Sequence, residues 1–201
     1  MEMKFNRQKI IARVQKAVDQ ALYIGASGLE TNIKESLKRQ NSSISAGGIP
    51  SAPGEPPATG TGALSRSIVA IKADDWTETK PHYRVGTNIK YAAIQEYGGR
   101  IAAKKGKFLA VPLGVDGRRA AREAKGGSLR NLKLTLLRVK GKLLLVRFAG
   151  KARAAMKPLF ILLKSVILPA RPYMRPAYAV AKGQIKIRVE LAIKEALAGG
   201  H

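Results

Sequence analysis

Residues 91–101 read "YAAIQEYGGRI", a short helical signal stopped by two glycines. It follows two β-prone runs, Leu64–Lys72 and Tyr83–Ile89, joined by a polar connection at Asp74–Pro81. Two such runs with a polar link predict an antiparallel pair, and Gly98 suits the left-handed position that ends a helix. A helix set directly against antiparallel strands predicts an α+β fold. The same stretch poses the functional question, because Glu96 reads either as a carboxylate in a cleft or as part of a structural corner.

Outward from this centre, both ends of the chain are helical. From Asn6 to Gln40, apolar residues at Ile10, Ile11, Val14, Val18, Ala21, Leu22, Leu29, Ile33 and Leu37 make one stripe. Gly25 and Gly28 interrupt it, so that helix either kinks or lets another backbone approach closely. A second helix is predicted over Pro176–Ala198, where Ile185, Val189, Ile193 and Leu197 repeat every four residues. We expect the strands at Leu64–Lys72, Tyr83–Ile89 and Pro158–Leu168 to share one mainly antiparallel sheet. The two helices should cover it, packed closely at Gly25, Gly28 and Gly183.

Two stretches stand apart within what reads as a single structural domain over 1–201. Residues 41–62, "NSSISAGGIPSAPGEPPATGTG", carry too much Pro, Gly and Ser for a packed core and read as an extended loop. Pro50, Pro53, Pro56 and Pro57, with Leu64 after them, are the candidates for contact with a partner. Residues 103–157 form a β-rich basic insertion or arm. Strands are expected in "KFLAVPL" and "LKLTLLRV", a hairpin at Lys140–Gly141, and a short helix at Arg118–Lys125 ended by Gly126 and Gly127.

Charge bounds the partners. The 201 residues hold 37 Lys+Arg against 13 Asp+Glu, a formal charge of +24. Between 103 and 168 there are 17 Lys and Arg with only Asp116 and Glu123 opposing them, so +15 of the +24 lies there. Such a field attracts phosphate, acidic protein or anionic lipid. Lys104, Lys105, Arg118, Arg119 and Arg122 are the candidates for phosphate or acidic-partner contacts. The alternative, that these cations only solvate a sheet face, is about equally supported. Phe108, Phe148 and Phe160 sit in apolar runs, so the base-stacking platform of single-strand binders is missing, and any DNA contact would be with backbone phosphate.

Other classes receive little support. No cysteine is present, which excludes disulfides and thiolate metal sites. The start "MEMKFNRQKIIARVQ" lacks the apolar core of a signal peptide. The most apolar run, "PLFILLKSVIL", is half the ~20 residues needed to cross a bilayer. No nucleotide-binding glycine pattern occurs, and no carboxylate or histidine cluster has metal-ligand spacing. His82 with Asp74 or Asp75 is the only arrangement open to a hydrolase, and we rank it third. No cofactor is expected.

The order of three motifs, "PGEPPATGTGALSRSI" (53–68), "VGTNIKYAAIQEYGG" (85–99) and "PARPYMRPA" (169–177), resembles the tail-component family of tailed bacteriophages, which includes tail-completion and neck proteins. The resemblance covers the first hundred residues and the last forty-odd, while residues 102–156 depart from the shorter members. It implies a non-enzymatic structural protein of the virion at the head–tail junction or upper tail, assembled in the host cytoplasm. It also implies a hexamer-like ring of the chain itself, neighbouring connector, tail-terminator or tail-tube proteins, DNA in the channel, and no membrane. The motif residues are Tyr91, Glu96, Tyr97, Gly98, Arg171, Pro172, Tyr173 and Pro176. The alternative function is a basic protein that contacts DNA phosphates without sequence specificity. We expect "YAAIQEYGG" and "PARPYMRPA" to meet as one corner, with Ala93, Ile94 and Tyr97 toward the core and Glu96 paired with Arg171 or Arg175.

Overall fold

The computed structural model describes residues 7–39, 51–58, 61–104, 106–124, 129–148 and 156–198. It has the α+β composition expected, with long helices near both ends and antiparallel strands between them. Where the sequence reads as one structural domain, the chain divides into two compact units, Met1–Ser42 with Pro50–Tyr97 and Ala170–His201, and Ser43–Ile49 with Gly98–Pro169.

In the first unit, helix α1 (Arg7–Arg39) runs uninterrupted through both glycines. Its buried residues Ala21, Gly25, Ala26, Leu29, Ile33 and Leu37 keep the predicted stripe. Helix α5 (Met174–Ala198) packs antiparallel along it. A Cβ at Gly25 would come within 2.8 Å of Ile185 Cγ1, so this glycine sets how closely the helices approach. Gly28 and Gly183 face open space, so the close packing expected at three glycines is found at one.

The stretch expected to begin a strand at Leu64 instead makes a helical turn, α2 (Ala63–Ser67), before strand β1 (Val69–Lys72). Leu64 and Ile68 lie four residues apart and both enter the core with Leu29, Ile33, Leu37, Ala92, Tyr173 and Ala181. Ser67 Oγ donates to the Leu64 carbonyl at 2.8 Å, a local bond that competes with strand pairing. β1 then pairs antiparallel with β2 (Tyr83–Gly86), from Val69 opposite Gly86 to Lys72 opposite Tyr83. Two strands alone are marginal in water. These are held by α1: Asp19 Oδ1 accepts from Trp76 Nε1 at 3.0 Å and Tyr83 Oη at 2.8 Å, and Glu30 Oε2 accepts the Ala70 N–H at 2.7 Å. Helix α3 (Ala92–Tyr97) follows, and Gly98 takes φ 69° after it.

The second unit overturns the expectation of one shared sheet. The Pro158 run becomes β7 (Met156–Leu163) inside a four-stranded antiparallel sheet ordered β4 (Leu109–Pro112), β7, β6 (Lys142–Phe148), β5 (Thr135–Val139). Its partners come from the insertion nearest to it in sequence, and the hydrophobicity of the run reflects a central strand with a neighbour on either side. The run also breaks at Lys164. Strand β8 (Ser165–Leu168) pairs instead with β3 (Gly99–Ala102). The β5–β6 hairpin turns at Lys140 and Gly141, both at positive φ (47° and 76°), the turn whose twist matches its strands.

Helix α4 (Gly114–Glu123) starts four residues before the predicted position, and its expected stops Gly126 and Gly127 lie outside the described residues. It covers β7 through Gly117, where a Cβ would fall 2.2 Å from the Leu159 carbonyl oxygen. Ala120, Leu159 and Phe160 form the core beneath it, extended by Ala110, Leu129, Leu132, Leu134 and Leu145.

Candidate functional site, a carboxylate clamp at the root of the C-terminal helix

Within the first unit, the two motifs expected to meet do so. The short helix α3 is turned the other way from the prediction: Ala92 and Glu96 are its buried residues, while Ala93 and Tyr97 are exposed. The reason is the number of donors waiting inside. Glu96 Oε2 accepts the backbone N–H groups of Tyr173 (2.8 Å) and Met174 (3.0 Å). Oε1 accepts the Arg175 N–H (3.0 Å) and its guanidinium Nε (3.1 Å). These N–H groups belong to the first turn of α5, which has no partners of its own. A carboxylate there also meets the positive end of the helix dipole.

The four bonds fill the four acceptor positions of a carboxylate, which leaves Glu96 none with which to take a proton from a substrate. Burial pushes its pKa up, but the N–H groups of Met174, Tyr173 and Arg175 and the Arg175 side chain outweigh burial and hold it below the usual carboxylate value. The Tyr173 hydroxyl is pushed up to about 12, by burial first and by the Glu96 charge second.

Arginines complete the corner. The Arg175 guanidinium also donates to the Glu96 carbonyl at 3.0 Å and lies 4.9 Å above the Tyr97 ring, so one side chain caps the end of α3 and clamps its carboxylate. Arg171 takes a different task. Its N–H donates to the Gln95 carbonyl at 2.7 Å and its Nε to the Ser51 carbonyl at 3.1 Å. Gly54 N–H reaches the Ala170 carbonyl at 2.9 Å. Pro176 occupies the first turn of α5, where its missing N–H costs nothing, and Pro172 is half-buried beside Tyr173. Tyr91, the remaining motif residue, is exposed.

These bonds correct part of the loop prediction. Ser51 and Pro57 are buried against the chain's own first unit and Leu64 is a core residue, so neither Pro57 nor Leu64 is a partner contact. The loop is fastened where backbone carbonyls and N–H groups of the Arg171 corner need partners. Pro53 is exposed and Pro56 half-buried, while Pro50 and the rest of 40–50 lie outside the described residues.

In the second unit, Lys104, Arg119 and Arg122 are exposed and Arg118 is half-buried; Lys105 lies outside the described residues. Both acids of that unit face cations, Asp116 with Lys157 at 3.9 Å and Glu123 with Arg147 at 3.3 Å.

His82 and Asp75 do meet, Nε2 to Oδ1 at 2.7 Å, and Nδ1 lies 2.9 Å from the Lys80 carbonyl. Two acceptors facing both ring nitrogens favour the imidazolium. The Lys80 carbonyl first, then the Asp75 carboxylate, raise the His82 pKa, and both ring nitrogens are engaged by neighbours within the chain. Among the described residues, no group of three or more His, Cys, Asp or Glu could hold a metal, and no helix is long and apolar enough to cross a membrane.

Sequence reasoning missed Asp19 and Glu30, the α1 carboxylates that hold the β1–β2 hairpin. Their only signal was a place on the helix outside its terminal turns, which Glu35 shares. No protein family, no curated protein and no solved structure matches the chain.

Proposed function

We propose that the chain is a structural subunit of a tailed-bacteriophage virion, placed at the head–tail junction or upper tail and acting by ring assembly and protein–protein contact. The observation that carries this reading is the Glu96 clamp. The two most distinctive motifs converge on one buried carboxylate, and all four of its acceptor positions serve to fix α3 to the root of α5. A ring subunit needs such a rigid corner, because small angular errors at each copy prevent closure. The test is immunogold labelling of intact particles from a phage encoding this chain. Label at the neck or upper tail is the expected result, and label absent from particles refutes the reading.

A second reading concerns the basic unit, which we propose to face duplex DNA phosphates without reading sequence. It is favoured by the pairing of Asp116 and Glu123, which leaves the remaining Lys and Arg of residues 103–168 in large excess. Random-sequence duplex should bind with an affinity that falls steeply with salt, and neutralising Arg118, Arg119 and Arg122 together should flatten the log–log slope by about 2 to 3. Binding that ignores salt would contradict it.

A further inference from the structure

The register of the four-stranded sheet sorts the charges of the second unit between its two ends. At one end Arg147 of β6 stands opposite Lys157 of β7. These are the cations that face Glu123 and Asp116 of α4, and no other acid occurs between residues 98 and 169. At the other end Leu109 of β4 pairs with Leu163 of β7, Leu162 with Leu143 of β6, and Lys142 with Val139 of β5. That end therefore gathers five cations: Lys107 just before β4, Lys164 just after β7, and Arg138, Lys140 and Lys142 on the β5–β6 hairpin. All five are exposed, and none of their side chains has a hydrogen bond or ion pair among the described residues. Lys142 and Arg147 are about 17 Å apart along β6. That is twice the screening length of about 8 Å at physiological ionic strength, so the two acids leave this row uncompensated.

We infer that this end of the sheet docks on duplex DNA, where the row of cations bridges the two phosphate strands that border the major groove. Resting on the second reading above, this surface adds to the α4 arginines a contact that they do not supply. The charge of the row selects a polyanion, and its width selects a duplex. Neighbouring strands lie about 4.8 Å apart, so the order β4, β7, β6, β5 spreads the five cations over about 14 Å. The major groove is about 12 Å wide, so the β4–β7 side and the hairpin each face one of its phosphate strands. A single strand offers one line of phosphates and engages only one side of the row.

The experiment is fluorescence anisotropy of the full chain with a random-sequence duplex over a range of salt, with far-UV circular dichroism as the folding control. Two double variants divide the row: Lys107→Gln with Lys164→Gln on the β4–β7 side, and Lys140→Asn with Lys142→Gln on the hairpin. Asparagine tolerates the positive φ of Lys140. Each double should flatten the log–log salt slope by about 2. Arg147→Gln with Lys157→Gln removes the same charge from the compensated end and should leave the slope unchanged. The duplex should also bind more tightly than either of its separated strands, and polyglutamate should displace it only in large excess. A salt-dependent wild type whose slope ignores either row variant, or falls as far in the Arg147 and Lys157 variant, overturns the proposal and leaves the second reading standing. A separated strand that binds as tightly as the duplex overturns it too, as does displacement by polyglutamate at equal charge, which would mark an acidic protein as the occupant. A wild type whose binding ignores salt removes the proposal and the second reading together.

Discussion

Glu96 binds Arg175 twice, through the backbone N–H at 3.0 Å and through the guanidinium Nε at 3.1 Å, while Arg171 turns away to the Ser51 carbonyl. The first contact fastens the carboxylate to the helix and the second to the side chain that covers it. Glu96 therefore caps a helix that begins 78 residues later in the chain, with Met174 as that helix's first residue. The corner is a long-range helix cap, and its energetics follow from that.

Replacing Glu96 by Gln should destabilise the first unit by about 2–3 kcal/mol, since an amide offers one acceptor where two faced N–H donors. A double-mutant cycle with Arg175→Gln should show coupling of about 1 kcal/mol, and the cycle with Arg171→Gln should be additive. Denaturant melts of the singles and doubles measure both. Coupling to Arg171 in place of Arg175 would contradict the geometry.

Acid should act through the same group. The Glu96 pKa is depressed on folding, so its contribution is fully present above the unfolded value, 4.5, and is lost as pH falls through the folded value below it. Thermal melts across this window should show the wild type losing stability with falling pH more steeply than Glu96→Gln.

His82 has the opposite sign. Its pKa is raised, so the contribution of its contacts is present below 6.5 and fades as pH rises through the folded value. A proton NMR titration should place its midpoint above 6.5, and Asp75→Asn should bring the midpoint down.

Gly117 gives a test in the second unit. An alanine Cβ there would overlap the Leu159 carbonyl oxygen, which belongs to β7 and cannot move without disturbing the sheet. Gly117→Ala should cost about 1–3 kcal/mol, with hydrogen-exchange protection falling across β7. Unchanged protection would show that α4 is not held this closely.

The parts of this fold legible in the sequence were those set by local pattern: the α1 stripe, the β5–β6 turn at Lys140–Gly141, the stop at Gly98 and the root of α5. What stayed hidden depended on distant partners. Nothing near Leu64 announces that Leu64 and Ile68 share a core with Leu37, and so favour a helical turn over a strand. The orientation of α3 was misread because apolar residues were assigned to the interior. Four N–H groups from another motif outbid Ala93 and Tyr97 for that face. The Pro158 run could be recognised as a buried strand, but its sheet could not, since a continuous apolar run is the same pattern whichever neighbours pair with it.

The measurement that bears most directly on the proposed assembly is single-particle mass determination of the purified full chain combined with negative-stain imaging. The ring reading predicts one discrete oligomer that appears as a closed annulus of uniform diameter. A chain that stays monomeric at every concentration, or that grows into an open series of masses without closure, would contradict it.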